Sequence, residues 1–268
     1  MTQDNQSKTS KKKSAGDIVR WILIVVLLGV AAFSCWKVYS ILQKGNEVSK
    51  ENEQLEQFVI SSAEDGEQEE PVFAPDWAAL KNANPNLRAW LIVPGCNISA
   101  PVVQGSDNQY YLDHTASGES SYLGAIFLDA QANENFTDAN SIIYGHSTDT
   151  GNMFTPLKNF GDATFFDEHP YFWLLTPERN YRCDILCAYQ GPDTGAIYTV
   201  DFGDLKDEVM AQIQSQAMFY RNDLDLTDKN FVTLATCNLK YGYNSDQRTA
   251  VMAVLNVYDQ PIYESDTK

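Results

Sequence analysis

Residues 231–259 read FVTLATC, NLKYGYNSDQ and RTAVMAVLNVYD, two apolar runs joined by a polar loop. Both runs are rich in β-branched and aliphatic residues, so the stretch predicts two strands paired as an antiparallel hairpin. Such pairing places Cys237, at the end of the first strand, beside Arg248, at the start of the second. A thiol at an exposed strand end is open to a substrate, whereas a thiol in mid-strand is usually inert.

Further runs of the same kind precede this hairpin. Gly, Pro, Asn or Asp residues separate most of them, as is typical of turns between strands. Eight strands with few helices between them favour a mainly antiparallel barrel or sandwich over a doubly wound fold. The six additional runs are AWLIVPG (89–95), ISAPVVQ (98–104), AIFLD (125–129), SIIYGH (141–146), YFWLLTP (171–177) and YRCDILCAYQ (181–190).

Two segments outside these apolar runs predict helices. Residues 76–84, DWAALKNAN, have Asp76 in the position of an N-cap. Residues 203–221 place Leu205, Val209, Ile213 and Ala217 four residues apart, with acidic residues near the start and a basic residue near the end. This pattern predicts an amphipathic helix whose charges match its dipole, inserted between two strands.

The charge of the chain divides at an apolar run near its start. The 268 residues have a formal net charge of -17, and this acidic balance excludes the basic surface that nucleic-acid binding requires. Residues 1–37 hold six basic residues and two acids, which leaves a formal charge of -21 for residues 38–268. The chain therefore has a small basic head and a long acidic body.

The apolar run WILIVVLLGVAAFSCW (21–36) continues through Lys37 into VYSIL. With these flanks it is long enough to cross a bilayer as a helix, which predicts a transmembrane helix at residues 21–42. A cleaved signal peptide is the alternative, although no small-x-small cleavage site follows. The basic cluster before the run places residues 1–20 in the cytoplasm by the positive-inside rule. We expect an acidic linker at 43–70 and an extracellular catalytic domain at 71–268.

Cysteine usage does not suggest disulfides or zinc. Cys183 and Cys187 lie four residues apart in a predicted strand, about 13 Å and too far for a disulfide within one regular strand. The chain contains no C-x-x-C pair, and its three histidines lack ligand spacing. We therefore predict that Cys96, Cys183 and Cys187 are core residues and that the protein uses no metal.

His146 and Arg248 complete a set of reagents with Cys237. His146 ends the run SIIYGH, just before a polar loop, and supplies a titratable acid or base. A guanidinium near the Cys237 thiol would favour the thiolate and donate to a developing oxyanion. A nucleophile, an acid/base and an electrophilic donor are thus all found at strand ends. Together they predict an acyl-transfer reaction.

The order YGH, then TLATC, then an Arg eleven residues later resembles the sortases, membrane-anchored cysteine transpeptidases of Gram-positive bacteria. The resemblance is closest to class B and covers roughly residues 77–258. It implies a mainly β fold, a closed eight-stranded sortase-type barrel with short N-terminal helices and one longer helix inserted before the catalytic-cysteine strand. It also implies no organic cofactor. The chain departs from class B at Ala235, where Ser is common, and in GHST, where GHNM is common.

The resemblance assigns Cys237 as the nucleophile, His146 as the general acid/base and Arg248 as the oxyanion or substrate-orienting residue. Substrate-binding residues are predicted at Ala235, Thr236, Tyr241 and Tyr243.

The implied function is cleavage after the Thr of a C-terminal sorting motif in secreted proteins, through a Cys thioester. The Thr carbonyl is then joined to an amine of a cell-wall precursor or of a pilin-like surface protein. Two alternatives stay open at this point. One is a cell-surface cysteine peptidase that hydrolyses its acyl-enzyme, and the other is a non-catalytic sortase-like module.

Overall fold

The computed structural model describes residues 15–61, 72–148, 153–242 and 245–267. The chain forms two compact units, Met1–Gln43 and Lys44–Lys268. Most of the predicted cytoplasmic segment, most of the second half of the predicted linker and Tyr243 lie outside the described residues.

The described part of the first unit is helical. Helix α1 (Ala15–Glu56) begins there, and its stretch Val19–Ser40 has a mean hydropathy of 2.2 with its side chains unburied. This stretch is long and apolar enough to cross a membrane, a property that a signal sequence near an N-terminus shares. The predicted span at 21–42 lies within α1.

The second unit is built on a closed barrel of eight strands. The barrel strands are β3 (Leu87–Val93), β4 (Ile98–Val103), β5 (Ile126–Leu128), β6 (Asn140–Tyr144), β7 (Tyr171–Leu175), β8 (Asn180–Pro192), β10 (Phe231–Cys237) and β11 (Gln247–Tyr258). In spatial order they are β11-β10-β6-β5-β4-β3-β7-β8, and pairing of β8 with β11 closes the ring. The prediction of eight strands in a barrel is therefore confirmed.

Six of the eight barrel pairings are antiparallel, and two, β4 with β5 and β6 with β10, are parallel. The local residue pattern of a strand does not reveal its partner, so these parallel pairs were not expected. Three short strands lie outside the ring. β1 (Ile60–Ser61) pairs with β2 (Val72–Phe73), and β9 (Phe219–Tyr220) extends the sheet beside β8.

Most barrel strands are apolar on both faces because both faces are covered. One cluster fills the interior of the barrel and includes Leu91, Phe172, Ile185, Leu234 and Val251. Two further clusters lie on the outer face, one around Trp90 and one around Met252. Cys96, Cys183 and Cys187 are buried in these clusters without disulfides, which confirms their prediction as core residues.

Helices cover the outer clusters. In α2 (Trp77–Ala83) the Asp76 carboxylate accepts hydrogen bonds from the amides of Ala78 and Ala79, so the predicted N-cap is confirmed. A short helix, α3 (Ala163–Glu168), precedes β7.

The helix predicted at 203–221 is shorter than expected. α4 spans Lys206–Gln216, and β9 occupies part of the remainder. Leu205 lies in the 3-10 turn that precedes the helix and is 56% exposed. The side chains of α4 that are buried are Met210 and Ile213.

Part of the segment predicted as a linker packs on the barrel. Leu55 and Val59 are 6% and 0% exposed and join the cluster around Trp90. The Glu51 carboxylate accepts a hydrogen bond from the Ser117 amide at 2.7 Å. The second unit therefore includes the last turns of α1, in addition to the domain predicted from residue 71.

We expect Leu55→Ala to lower the free energy of unfolding by about 2 to 4 kcal/mol, because it leaves a cavity under α1. The same substitution at exposed Leu205 should cost less than about 0.5 kcal/mol. Denaturant titration of both variants, followed by tryptophan fluorescence, measures the difference. Equal effects would show that residues 44–61 do not pack on the barrel in solution.

Candidate active site

The parallel pair of β6 and β10 brings two of the predicted residues to one edge of the barrel. Ala235 pairs with Tyr144, and the Gly145 amide donates to the Ala235 carbonyl at 3.2 Å. Continuing this register by two residues aligns His146 with Cys237. Because neighbouring strands lie about 4.8 Å apart, this register places the main chain at His146 beside the main chain at Cys237.

The antiparallel pair of β10 and β11 brings the third residue to the same edge. Cys237 and Arg248 are direct partners in this register, as the predicted hairpin requires. Cys237 and Arg248 therefore lie on adjacent strands, and His146 lies two residues beyond the end of β6, the third strand at this edge. The structure brings together the three residues that the sequence proposed for chemistry.

Gly145 in the YGH motif is required by packing. A Cβ at this position would lie 2.8 Å from the ring of Phe154, closer than such contacts allow. Phe154 is fully buried, and its amide donates to the His146 carbonyl at 2.9 Å. The glycine thus lets the chain pass closely over Phe154 and turn into the loop with His146 at its start.

The His146 ring is held by a backbone carbonyl. Its Nε2 lies 2.8 Å from the carbonyl oxygen of Leu112, in the 3-10 turn Tyr110–Leu112. The carbonyl can only accept, so this contact requires a proton on Nε2. Sequence reasoning missed this partner because a main-chain oxygen leaves no side-chain signal.

The Arg248 guanidinium is also held in place. Its Nη2 donates to the Asp193 carboxylate at 3.0 Å, and its Nη1 donates to the Ser245 carbonyl at 2.7 Å. The Asp193 amide in turn donates to the Asp246 carbonyl at 2.9 Å, which ties the loop after β8 to the start of β11. Asp193 was not predicted, because it lies 55 residues before its partner in the sequence.

Two cavities meet at Cys237. The first, which we call the arginine-side cavity, has a volume of about 440 Å³. Besides Cys237 and Arg248, it is lined by Asn108, Leu112, Phe127, Tyr144, Gly145, Asp193, Tyr198, Ala235 and Thr236. The second, the lysine-side cavity, has a volume of about 540 Å³. It is lined by Ser147, Thr148, Thr155, Lys158, Gln190, Thr236, Cys237, Asn238, Leu239, Lys240 and Thr249. His146 lies between Gly145 and Ser147, which line one cavity each.

Tyr198 supplies a buried hydroxyl to the arginine-side cavity. Burial raises the pKa of this phenol well above its usual range, so it stays protonated and can donate. Its oxygen is buried and has no hydrogen-bond partner among the described residues. The loop that carries Tyr198 is held by Asn140, whose side-chain amide donates to the carbonyls of Ile197 and Thr199 at 3.0 Å each.

The predicted substrate-binding residues are placed differently from one another. Ala235 lines the arginine-side cavity, and Thr236 lines both cavities. Tyr241 is 56% exposed and lines neither, and Tyr243 lies outside the described residues. All four assignments stay predictions.

Burial separates Cys237 from the other thiols of the second unit. Burial raises the pKa of Cys96 and of Cys187 to about 12, and it raises the pKa of Cys183 well above its usual range. These thiols are therefore protonated and inert near neutral pH. Cys237 is partly exposed and opens to both cavities. Among the described residues, no group of three or more His, Cys, Asp and Glu side chains is arranged to hold a metal ion.

Comparison with known proteins agrees with this architecture. The family model for the Sortase domain matches residues 91–256. Sortase B of Listeria monocytogenes is 29% identical over 236 residues, which cover 82% of this chain and 90% of that protein.

Solved structures show the same fold. The structure of Clostridium perfringens sortase B is 33% identical, with a TM-score of 0.61, and the match covers 67% of this chain and 98% of that one. Sortase B of Bacillus anthracis is 25% identical, with a TM-score of 0.69, and the match covers 81% of this chain and all of that one. The family model covers more than half of the chain, and the relatives are class B enzymes. The chain therefore belongs to the sortase family, as a class B cysteine transpeptidase.

Proposed function

We propose that Cys237, His146 and Arg248 carry out the transpeptidation, on a peptide bound in the arginine-side cavity. The observation that supports this most directly is that Cys237 and Arg248 are partners on β10 and β11 and line that cavity, while His146 follows the end of the neighbouring strand β6, next to the lining residue Gly145. Cys237 is also the one cysteine of the second unit that is partly exposed.

In the first half-reaction the Cys237 thiolate attacks the carbonyl carbon of the sorting-motif Thr. The C–S bond forms, and the carbonyl oxygen gains negative charge that the Arg248 guanidinium stabilises. His146 then gives a proton to the departing amine as the C–N bond breaks. The carboxyl part of the substrate leaves, and the Thr remains as a thioester on Cys237.

In the second half-reaction an acceptor amine attacks the thioester carbonyl. The new C–N bond forms, the amine proton passes to His146, and the C–S bond breaks to release the thiolate. Contact of Nε2 with the Leu112 carbonyl keeps the ring in one orientation through both steps. The reaction is balanced without an oxidant, a reductant or a metal.

The arginine-side cavity suits a short peptide of mixed polarity. Leu112 and Phe127 offer apolar surface, whereas Asn108 and Tyr198 offer hydrogen-bonding groups. Ala235 is only 2% exposed and has no hydroxyl, so it cannot form the side-chain hydrogen bond that a Ser would offer at this position.

We place this reaction at the outer face of the membrane. The apolar stretch Val19–Ser40 would anchor the chain, with the basic residues before it in the cytoplasm. The substrates would be secreted proteins with a C-terminal sorting motif, and the acceptor an amine of a cell-wall precursor or of a pilin-like protein. The membership of the transpeptidase family argues against the two alternatives, pure hydrolysis and a non-catalytic module.

A thiol-directed reagent should modify Cys237 at least about 100-fold faster than Cys96, Cys183 or Cys187, because the latter are buried thiols with raised pKa. Peptide mapping after a short pulse of iodoacetamide measures the four rates. Comparable rates at Cys237 and a buried cysteine would contradict its assignment as the nucleophile.

Cys237→Ala should abolish peptide cleavage and ligation, and Arg248→Lys should lower kcat by about 100-fold, since one ammonium cannot replace a fork of donors at the oxyanion. The assay mixes the second unit, residues 44–268, with an amine acceptor and a library of peptides that contain a fixed Thr. Mass spectrometry then measures the cleaved and the ligated products. Lys81→Gln, on α2, serves as the control and should retain activity. Full activity of Cys237→Ala would refute the proposal.

Asp193 acts as a positioning residue for Arg248, so Asp193→Asn should lower kcat/KM by about 1.5- to 5-fold, which is the range for an exposed ion pair. Asp193→Glu retains the charge and should restore part of the loss. Salt should reduce the activity of the wild type more than that of Asp193→Asn, because screening weakens the ion pair. Identical salt profiles would show that the carboxylate does not act through its charge.

A further inference from the structure

The lysine-side cavity differs in chemistry from the arginine-side cavity. Its lining includes the hydroxyl groups of Ser147, Thr148, Thr155, Thr236 and Thr249, and Leu239 is its one aliphatic residue. The two lysines among the lining residues, Lys158 and Lys240, are exposed. In the arginine-side cavity, by contrast, the charge of Arg248 is balanced by Asp193.

The lysine-side cavity is positive in an otherwise acidic domain. Residues 38–268 carry a formal charge of -21, yet none of the residues that line this cavity is a carboxylate. Within residues 15–61, 72–148, 153–242 and 245–267, no Asp or Glu oxygen lies within 4 Å of either ammonium. A positive site of this kind attracts anionic groups of a ligand.

Thr236 gives this cavity a second binding feature. The residue is 5% exposed, and its Oγ1 is buried without a hydrogen-bond partner among the described residues. A buried hydroxyl without a partner is costly, so a ligand group that pairs with it gains affinity. Thr236 directly precedes Cys237 in β10 and lines both cavities.

We propose that the lysine-side cavity receives the second substrate and that this acceptor is a primary amine that also carries a carboxylate. The inference rests on the proposed function, because it takes Cys237 as the site of the thioester. The sorting peptide occupies the arginine-side cavity, which leaves the other opening at Cys237 for the amine.

The charge of the cavity selects the class of acceptor. Lys158 and Lys240 repel an acceptor whose only charge is an ammonium, and they attract one whose carboxylate offsets it. The same two ammoniums favour the neutral form of the acceptor amine, which is the form that attacks a carbonyl. The amine nitrogen then bonds to the Thr carbonyl carbon, its proton passes to His146, and the C–S bond breaks.

The test compares acceptors that differ only in the carboxylate. Diglycine, triglycine and Nα-acetyl-lysine are each paired with the corresponding C-terminal amide, and the ratio of ligated to hydrolysed product is measured with one cleavable peptide. We expect the free acids to give a ligation ratio about tenfold higher than the amides for at least one pair. Lys158→Gln/Lys240→Gln should reduce this preference to near one, and Lys158→Arg/Lys240→Arg should keep it.

Lys81→Gln removes a lysine on α2 and is the matched control, which should keep the wild-type preference. Thermal unfolding midpoints identify any variant that fails to fold. If the glutamine double variant fails, the acid-to-amide preference of Lys158→Arg/Lys240→Arg is compared with that of the wild type. An equal ligation ratio for acid and amide in every pair, or a preference that survives in the glutamine double variant, overturns the inference.

The acyl-enzyme separates this inference from the proposed function. If intact mass spectrometry detects the thioester on Cys237 but acids and amides ligate equally, only the assignment of the acceptor fails. If no peptide of the library forms a thioester, the proposed function fails and the inference fails with it.

Discussion

The active-site edge of the barrel depends on the parallel pairing of β6 with β10. This pair aligns five residues of each strand, and it ends two residues before His146 and Cys237. Paired residues of the two strands are 91 positions apart in the chain, so closure of the barrel is needed to bring them together. Because adjacent strands have a fixed spacing, this register sets how far apart the main chain lies at His146 and at Cys237.

Buried polar contacts lock this register. The Thr233 hydroxyl of β10 donates to the side-chain Oδ1 of Asn140 in β6 at 2.9 Å, and both side chains are fully buried. The same Asn140 side chain holds the loop that carries Tyr198. A slip of one residue would leave these groups without partners in the core, at a cost of about 1 to 3 kcal/mol for each. One asparagine thus connects the strand register to a wall of the arginine-side cavity.

The local chemistry of the site was readable from the chain because it depends on residue type and position. Cys237 and His146 end apolar runs, Arg248 begins one, and Asp76 precedes a helical pattern in which it proved to be the N-cap. The helix predicted at 203–221 was less accurate, because Leu205 fits the apolar spacing but falls in a 3-10 turn. Spacing alone does not say where tertiary contacts stop a helix.

The sequence by itself determined the eight strands, the hairpin that pairs Cys237 with Arg248, and the kind of chemistry, since periodicity and strand ends are local properties. Only the tertiary structure decided that β6 lies parallel to β10, that the Leu112 carbonyl holds His146 and that Asp193 holds Arg248. It also decided that two cavities of unlike charge meet at one thiol. These features join residues from distant parts of the chain, and their pairing arises only when the barrel closes and buries the polar groups that they satisfy.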